Sequence, residues 1–143
     1  MAGKTGEFRV DVDMDLMDLQ NEVSQRTVFI SEKSDFKFVR AGRLVVVKGA
    51  DTGRELSIEK ERVLIGRSAG CHLTLDDSSV SSVHAEVCAS PEGHVLRDLN
   101  STNGIFMMGH RVREVVLRPG SQFQIGNNLL AFEPLENMVK VPL

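Results

Sequence analysis

The sequence predicts an all-β fold, an antiparallel β-sandwich of about ten or eleven short strands. Two observations carry that expectation. From Arg43 onward, short apolar or alternating runs recur, each ended by turn residues such as Gly49-Ala50-Asp51-Thr52-Gly53, Asp76-Asp77-Ser78, Pro91-Glu92-Gly93, Pro119-Gly120 or Gly126-Asn127-Asn128. Between them no helical period is sustained.

Taken in order, the strand-like runs are 43–47, 55–58, 62–65, 72–75, 83–89, 94–99, 105–107, 115–117, 123–125 and 129–133, and Pro134 reads as the close of the sandwich. Upstream, 27–30 and 36–39 are β-like and read as edge strands or linker. Residues 1 to about 25 differ again. Val10, Val12, Met14 and Leu16 alternate with aspartates as a strand would, while Val12, Leu16, Leu19 and Val23 sit at helical spacing. A short amphipathic helix is favoured over a strand, with a disordered acidic leader also open. The expected organisation is an N-terminal acidic leader or linker over 1–40, partly helical or disordered, then a sandwich domain over 41–135 and the start of a C-terminal linker over 136–143.

Composition narrows the functional classes. A chain of 143 residues has room for one domain with a core and a tail or two. A net charge of −3, with neither Trp nor Tyr, gives no electrostatic footprint or stacking platform for nucleic acid. Apolar runs such as 44–47 are too short to span a bilayer, and the N-terminus lacks the apolar stretch of a secretion signal. Cys71 and Cys88 are too few for a disulfide framework, so a reducing cytoplasm is the expected location, with no membrane partner. Cys71, His72, His84 and Cys88 lack the paired spacing of a structural zinc site, and no cofactor is expected.

The chemistry lies in two polar loops between the runs. One half reads Gly66-Arg67, then Ser78-Ser79-Val80-Ser81-Ser82-Val83-His84; the other reads Asp98-Leu99-Asn100-Ser101-Thr102-Asn103-Gly104. Hydroxyls, amides and free backbone N–H groups suit an anion and a peptide backbone, and an arginine beside them can grip phosphate bidentately. The expected surface therefore recognises phosphate. No carboxylate pair, nucleophile elbow or phosphate-binding P-loop accompanies it, which sets an enzyme aside.

These residues resemble the forkhead-associated (FHA) domain, whose pattern of Gly-Arg, Ser-x-x-His and Asn-Gly appears here as Gly66-Arg67, Ser81-Ser82-Val83-His84 and Asn103-Gly104. The flanking text Leu73-Thr74-Leu75-Asp76 and Ile105-Phe106 also fits, and the resemblance covers roughly 42–134. It implies a phosphothreonine-peptide-binding sandwich. On that reading Arg67 supplies the cation and the Ser81 hydroxyl completes the phosphate shell. Thr102 walls the threonine methyl, Asn103 pairs with the peptide backbone, and Ser82 lies among the peptide contacts. Gly66, His84 and Gly104 support the loops. Four departures stand out: Ser82 where Arg is frequent, Asn100 for a usual Gly, Ile105 for a common Thr and Met108 for a common Asn. Ser79, Val80 and Met107 are candidates for specificity contacts.

The implied partners are a phosphothreonine protein or peptide, a Ser/Thr kinase or its substrate, and no direct nucleic acid. The text 43–49 and 132–135 is similar to N-terminal FHA modules of bacterial activators of the nitrogen-type sigma factor, in which an AAA+ ATPase and a DNA-binding domain follow. That would make the chain the signal-input domain of a transcriptional regulator. The competing expectation is a protein-interaction sandwich with a weakened pocket that needs no phosphate.

Overall fold

The computed structural model describes residues 35–143, which form two β-sheets and contain no α-helix. The readings over 1–25 and 27–30 lie outside the described residues. Eleven strands follow one another: β1 (Phe36–Lys48), β2 (Glu55–Ile58), β3 (Arg62–Gly66), β4 (Leu73–Thr74), β5 (Ala85–Ser90), β6 (Gly93–Asp98), β7 (Ile105–Met107), β8 (His110–Val112), β9 (Glu114–Leu117), β10 (Gln122–Ile125) and β11 (Asn128–Pro142). One sheet has the order β9-β6-β5-β3-β4 and the other β2-β1-β11-β10-β7-β8. The pairing is antiparallel except between β3 and β4, which run parallel at Ile65↔Leu73 and Gly66↔Thr74. Loop 67–72 bends back on itself there, with the Cys71 N–H on the Ser68 carbonyl at 3.0 Å, and returns the chain beside β3 in the same direction.

The period of two explains the layers. Leu44 and Val46 of β1 point inward and are fully buried, as are Val63 and Ile65, Val87, Phe123 and Ile125, and Leu130 and Phe132 on their strands. They meet in one apolar cluster between the sheets. Each large side chain gains about 1.5–3 kcal/mol by burial, so a one-residue slip that turned a strand's set outward would forfeit several at once. The outer face of the five-stranded sheet is held differently. Glu86 of β5 is buried between Arg62 and Arg97, and Arg97 reaches on to Glu114. Burial pushes the Glu86 carboxyl up, but its hydrogen bonds and charge pairing with the two arginines hold it below its ordinary range.

Both ends of the sandwich extend past the boundaries expected from sequence. β1 and β11 pair from Lys48↔Leu129 to Phe36↔Pro142, so 36–40 are strand rather than leader, and most of 136–143 is strand rather than linker. Phe36 and Phe38 belong to the same strand as 43–47. The cause is an irregularity between Pro134 and Met138: Arg40 Nε donates to the Leu135 carbonyl at 3.0 Å, the intervening residues loop out, and pairing resumes. Ala41, Ala89, Val139 and Val141 then bury a second, smaller apolar cluster. β8 was not foreseen either, because His110-Arg111-Val112 is a polar edge strand with little apolar signal.

Met107 pairs with His110, and the two residues between them have positive φ, 51° at Met108 and 81° at Gly109. That is the backbone of a type I′ hairpin, which favours Asn-Gly. Met108 therefore holds a left-handed conformation that its Cβ disfavours, while its side chain is 91% exposed. Met108→Asn should raise stability by about 1 kcal/mol. Urea unfolding checks this, and an unchanged midpoint would mean the turn carries no such cost.

His94 of β6 is buried against the Phe132 ring, centroids 5.1 Å apart, and its Nε2 has no hydrogen-bond partner among the described residues. Burial holds its imidazole below the ordinary histidine range, so it is folded in as the neutral form. The unfolded chain binds that proton from about pH 6.5 downward and the folded chain does not until lower pH. Stability should therefore be complete above about pH 6.5 and fall as the pH drops toward the folded value. In His94→Leu that part of the slope should vanish; urea midpoints from pH 8 to 5 that fall in parallel for both proteins would contradict it.

Candidate functional site

The polar loops named from sequence come together at one end of the sandwich. Leu75 and Val80, both fully buried, pin the two ends of the turn that contains Asp77, Ser78 and Ser79. Val80 is thus anchored in the core while it also forms part of the cleft lining. Within the turn, Asp77 accepts from the Ser79 hydroxyl at 2.6 Å and the Ser79 N–H at 2.9 Å. It also accepts from the Asn127 N–H at 2.7 Å and the Asn128 amide at 3.2 Å. The Ser79 hydroxyl, with the Asn127 and Ser79 N–H groups, holds the Asp77 carboxyl below its ordinary range against the opposing effect of burial. The turn at Gly126 packs directly on this loop: a Cβ there would lie 2.7 Å from Ser79 Oγ and 2.8 Å from Asp77 Oδ2. Asp77 was read from sequence only as a turn residue.

His84 is fully buried between the loops. Its Nδ1 accepts the Ser81 N–H at 3.0 Å, which places the ring proton on Nε2, and Nε2 donates to the Gly104 carbonyl at 2.8 Å. Its own backbone bonds Ile65 O and Leu99 N. The loop 99–104 is closed from within by Ser101, which donates to Asp98 through its hydroxyl and accepts the Gly104 N–H at 2.9 Å. Asn100 takes a φ of 60°, the left-handed conformation that Asn tolerates better than most residues.

Gly66 does not need an unusual φ. It needs space, because a Cβ would stand 2.3 Å from the Ser82 carbonyl oxygen. That carbonyl accepts from the Ser68 N–H at 3.0 Å and the Cys71 thiol at 3.3 Å. Ser82 therefore ties loop 67–72 to its neighbour through its backbone, and its exposed side chain does not line the cleft. Burial pushes the Cys71 thiol up, which suits a packing role.

What remains is a cleft of about 140 Å³ lined by Arg67, Ser78, Ser79, Val80, Ser81, Thr102 and Asn103. Arg67 N–H bonds the Ser81 carbonyl, and its Nε donates to the Val80 carbonyl at 2.9 Å. The two terminal guanidinium nitrogens have no acceptor among the described residues. Ser81 Oγ accepts the Thr102 N–H at 3.1 Å and keeps its own proton to donate. Asn103 spends one amide N–H on the Ser79 carbonyl at 2.8 Å, leaving Oδ1 and its second N–H. Of the residues singled out from sequence, Arg67, Ser81, Thr102 and Asn103 share the cleft, Gly66, His84 and Gly104 support it from behind, and Ser82 is exposed next to Ser81 without lining it.

The polar cleft is thus built on loops at one end of a two-sheet sandwich. The FHA domain family model matches residues 63–126, from β3 through β10. FHA domains are interaction modules rather than enzymes. The chain is 34% identical over 92 residues to the FHA domain-containing protein FhaB of Mycobacterium tuberculosis, spanning 64% of this chain and 59% of FhaB. It is 32% identical over 89 residues to the oxoglutarate dehydrogenase inhibitor of Corynebacterium jeikeium, 62% of each chain. It thus covers less than two thirds of the length of either relative. A solved domain described under phosphothreonine-dependent FHA domain interactions superposes with a TM-score of 0.61 at 27% identity, covering 68% of this chain and 99% of that one.

Asp77→Asn keeps the size of the hub but removes its charge, and should cost about 1–2 kcal/mol at pH 7. Because the folded carboxyl titrates below its unfolded value, this contribution is present above about pH 4 and is lost as the pH falls through the folded value. The gap between wild type and variant in urea unfolding should therefore narrow at acid pH. A gap independent of pH would assign the loss to packing alone.

Proposed function

We propose that this domain binds phosphothreonine peptides, with the phosphate held by Arg67 and Ser81, the threonine methyl against Thr102 and the peptide backbone on the free edge of the Asn103 amide. The observation that carries the reading is the set of donors in the cleft that the described residues leave over: two guanidinium nitrogens, one hydroxyl proton and one amide N–H, all on loops fixed from behind. A phosphothreonine brings about −1.5 to −2 charge and three acceptor oxygens, which is the complement of that set. Likeness to a structure described by phosphothreonine-dependent interactions supports the same ligand. The unit we assign to binding is residues 36–142, the span of the paired strands.

In the cell this makes the protein a signalling adaptor that reads the product of a Ser/Thr kinase, either the kinase or its substrate. Relatives that include an oxoglutarate dehydrogenase inhibitor favour a regulator acting by binding. A role as the input module of a transcriptional activator rests on the text of 43–49 and 132–135 alone. The second reading, a sandwich that binds protein without phosphate, draws on Ser82, which brings no cation to the peptide.

Titration of a phosphothreonine peptide against its unphosphorylated twin separates the two readings. Only the phosphorylated peptide should bind, and Arg67→Ala should weaken it at least thirtyfold, the equivalent of about 2–5 kcal/mol. Ser81→Ala should cost less, about 1–3 kcal/mol, since it removes one hydroxyl. Equal binding of the twins, or of wild type and a folded Arg67→Ala, would overturn the assignment.

A further inference from the structure

We propose, resting on the phosphothreonine reading above, that Arg111 is a specificity-determining residue that selects peptides with a carboxylate side chain two to four residues from the phosphothreonine. Arg111 lies on β8, at the edge of the six-stranded sheet, directly across from Phe106. Ile105 turns into the core, so Phe106 and Arg111 face the other way, outside the sandwich. The arginine then folds back toward the recognition end. A Cβ on Gly104 would lie 2.4 Å from its Nε, 2.8 Å from its Cζ and 3.1 Å from its Cδ. Its guanidinium is thus laid against the backbone of Gly104, the residue that follows Asn103 of the cleft lining. Gly104, with a φ of 82°, supplies both the turn and the space for it.

Among the described residues, the charge on Arg111 is unpaired. Arg43, Arg54, Arg62 and Arg97 each lie within 4 Å of a carboxylate, whereas Arg111, like Arg40, Arg67, Arg113 and Arg118, has no such partner among the described residues, and of these it is the one laid against Gly104. A peptide whose phosphate sits on Arg67 and whose backbone passes Asn103 runs on past this cation. In an extended chain, residues two to four positions along lie about 7–13 Å away, the range in which a cation beyond Asn103 can meet them. The contact is exposed, so it sharpens the choice of peptide without providing the bulk of the affinity.

The test uses the full chain and a phosphothreonine peptide with alanine at every flanking position, compared with peptides carrying one Glu at each position two to four residues to either side. Fluorescence anisotropy should find at least one Glu position that tightens wild-type binding by about two- to fivefold, an advantage that shrinks as salt rises. Arg111→Gln should abolish that advantage while binding the all-alanine peptide as wild type does, and Arg111→Lys should retain part of it. If no Glu position tightens binding, or if Arg111→Gln weakens every peptide equally, the residue only shapes the loop and the inference is overturned. A wild type that binds neither kind of peptide overturns the phosphothreonine reading itself, and this inference with it.

Discussion

One buried imidazole holds the recognition end together. His84 belongs to neither the cleft nor the apolar core, yet both of its ring nitrogens and both of its backbone groups are bonded to other segments. Through Nδ1 it fixes the loop that carries Ser81, and through Nε2 the loop that ends at Gly104. Each bond satisfies a backbone group that would otherwise be orphaned away from water, at a cost of about 1–3 kcal/mol. Replacing the ring would therefore release two loops at once. Ser81, Thr102 and Asn103 are cleft residues because His84 is not.

The same economy runs through the rest of the site. Asp77 gathers Ser79, Asn127 and Asn128; Ser101 closes its own loop; the Ser82 carbonyl joins loop 67–72 to its neighbour. These inward bonds are made by the chain on its own, so ligand binding need not order the loops and loses less conformational entropy. They also decide which groups are left for a ligand. Asn103 offers one edge of its amide because the other edge is held by Ser79, and Arg67 offers its terminal nitrogens because Nε is held by Val80.

The strands between 43 and 133 were legible because burial on one face writes a period of two into the sequence. Likewise, Gly66-Arg67, Ser81 and Asn103-Gly104 stood out because turn chemistry and a cation are local signals. What lay hidden depends on partners distant in the chain. Pro134 reads as an end, and only pairing with Phe36–Lys48 reveals that β11 loops out and continues. β8 is polar and exists through its backbone bonds to β7. Asp77 looks like any turn residue until Gly126 and Asn127 are packed against it. Val80 did leave a trace, a lone apolar residue among four serines, which is the mark of a loop anchored in a core.

The pairing of Ser81 with His84 also shows why sequence proximity of a hydroxyl and an imidazole is poor evidence for catalysis. A nucleophilic serine needs a base nitrogen facing its Oγ. Here the nitrogen nearest Ser81 faces its backbone N–H, and the other nitrogen carries the proton and spends it on a carbonyl. Neither can take the hydroxyl proton without breaking a bond that holds a loop. The Oγ itself is an acceptor for Thr102 and is left with a proton to donate outward. That is the polarity an anion requires and the reverse of what a nucleophile requires. The hydrogen bonds that deny Ser81 a base are the ones that leave its hydroxyl proton for the phosphate in the role proposed above.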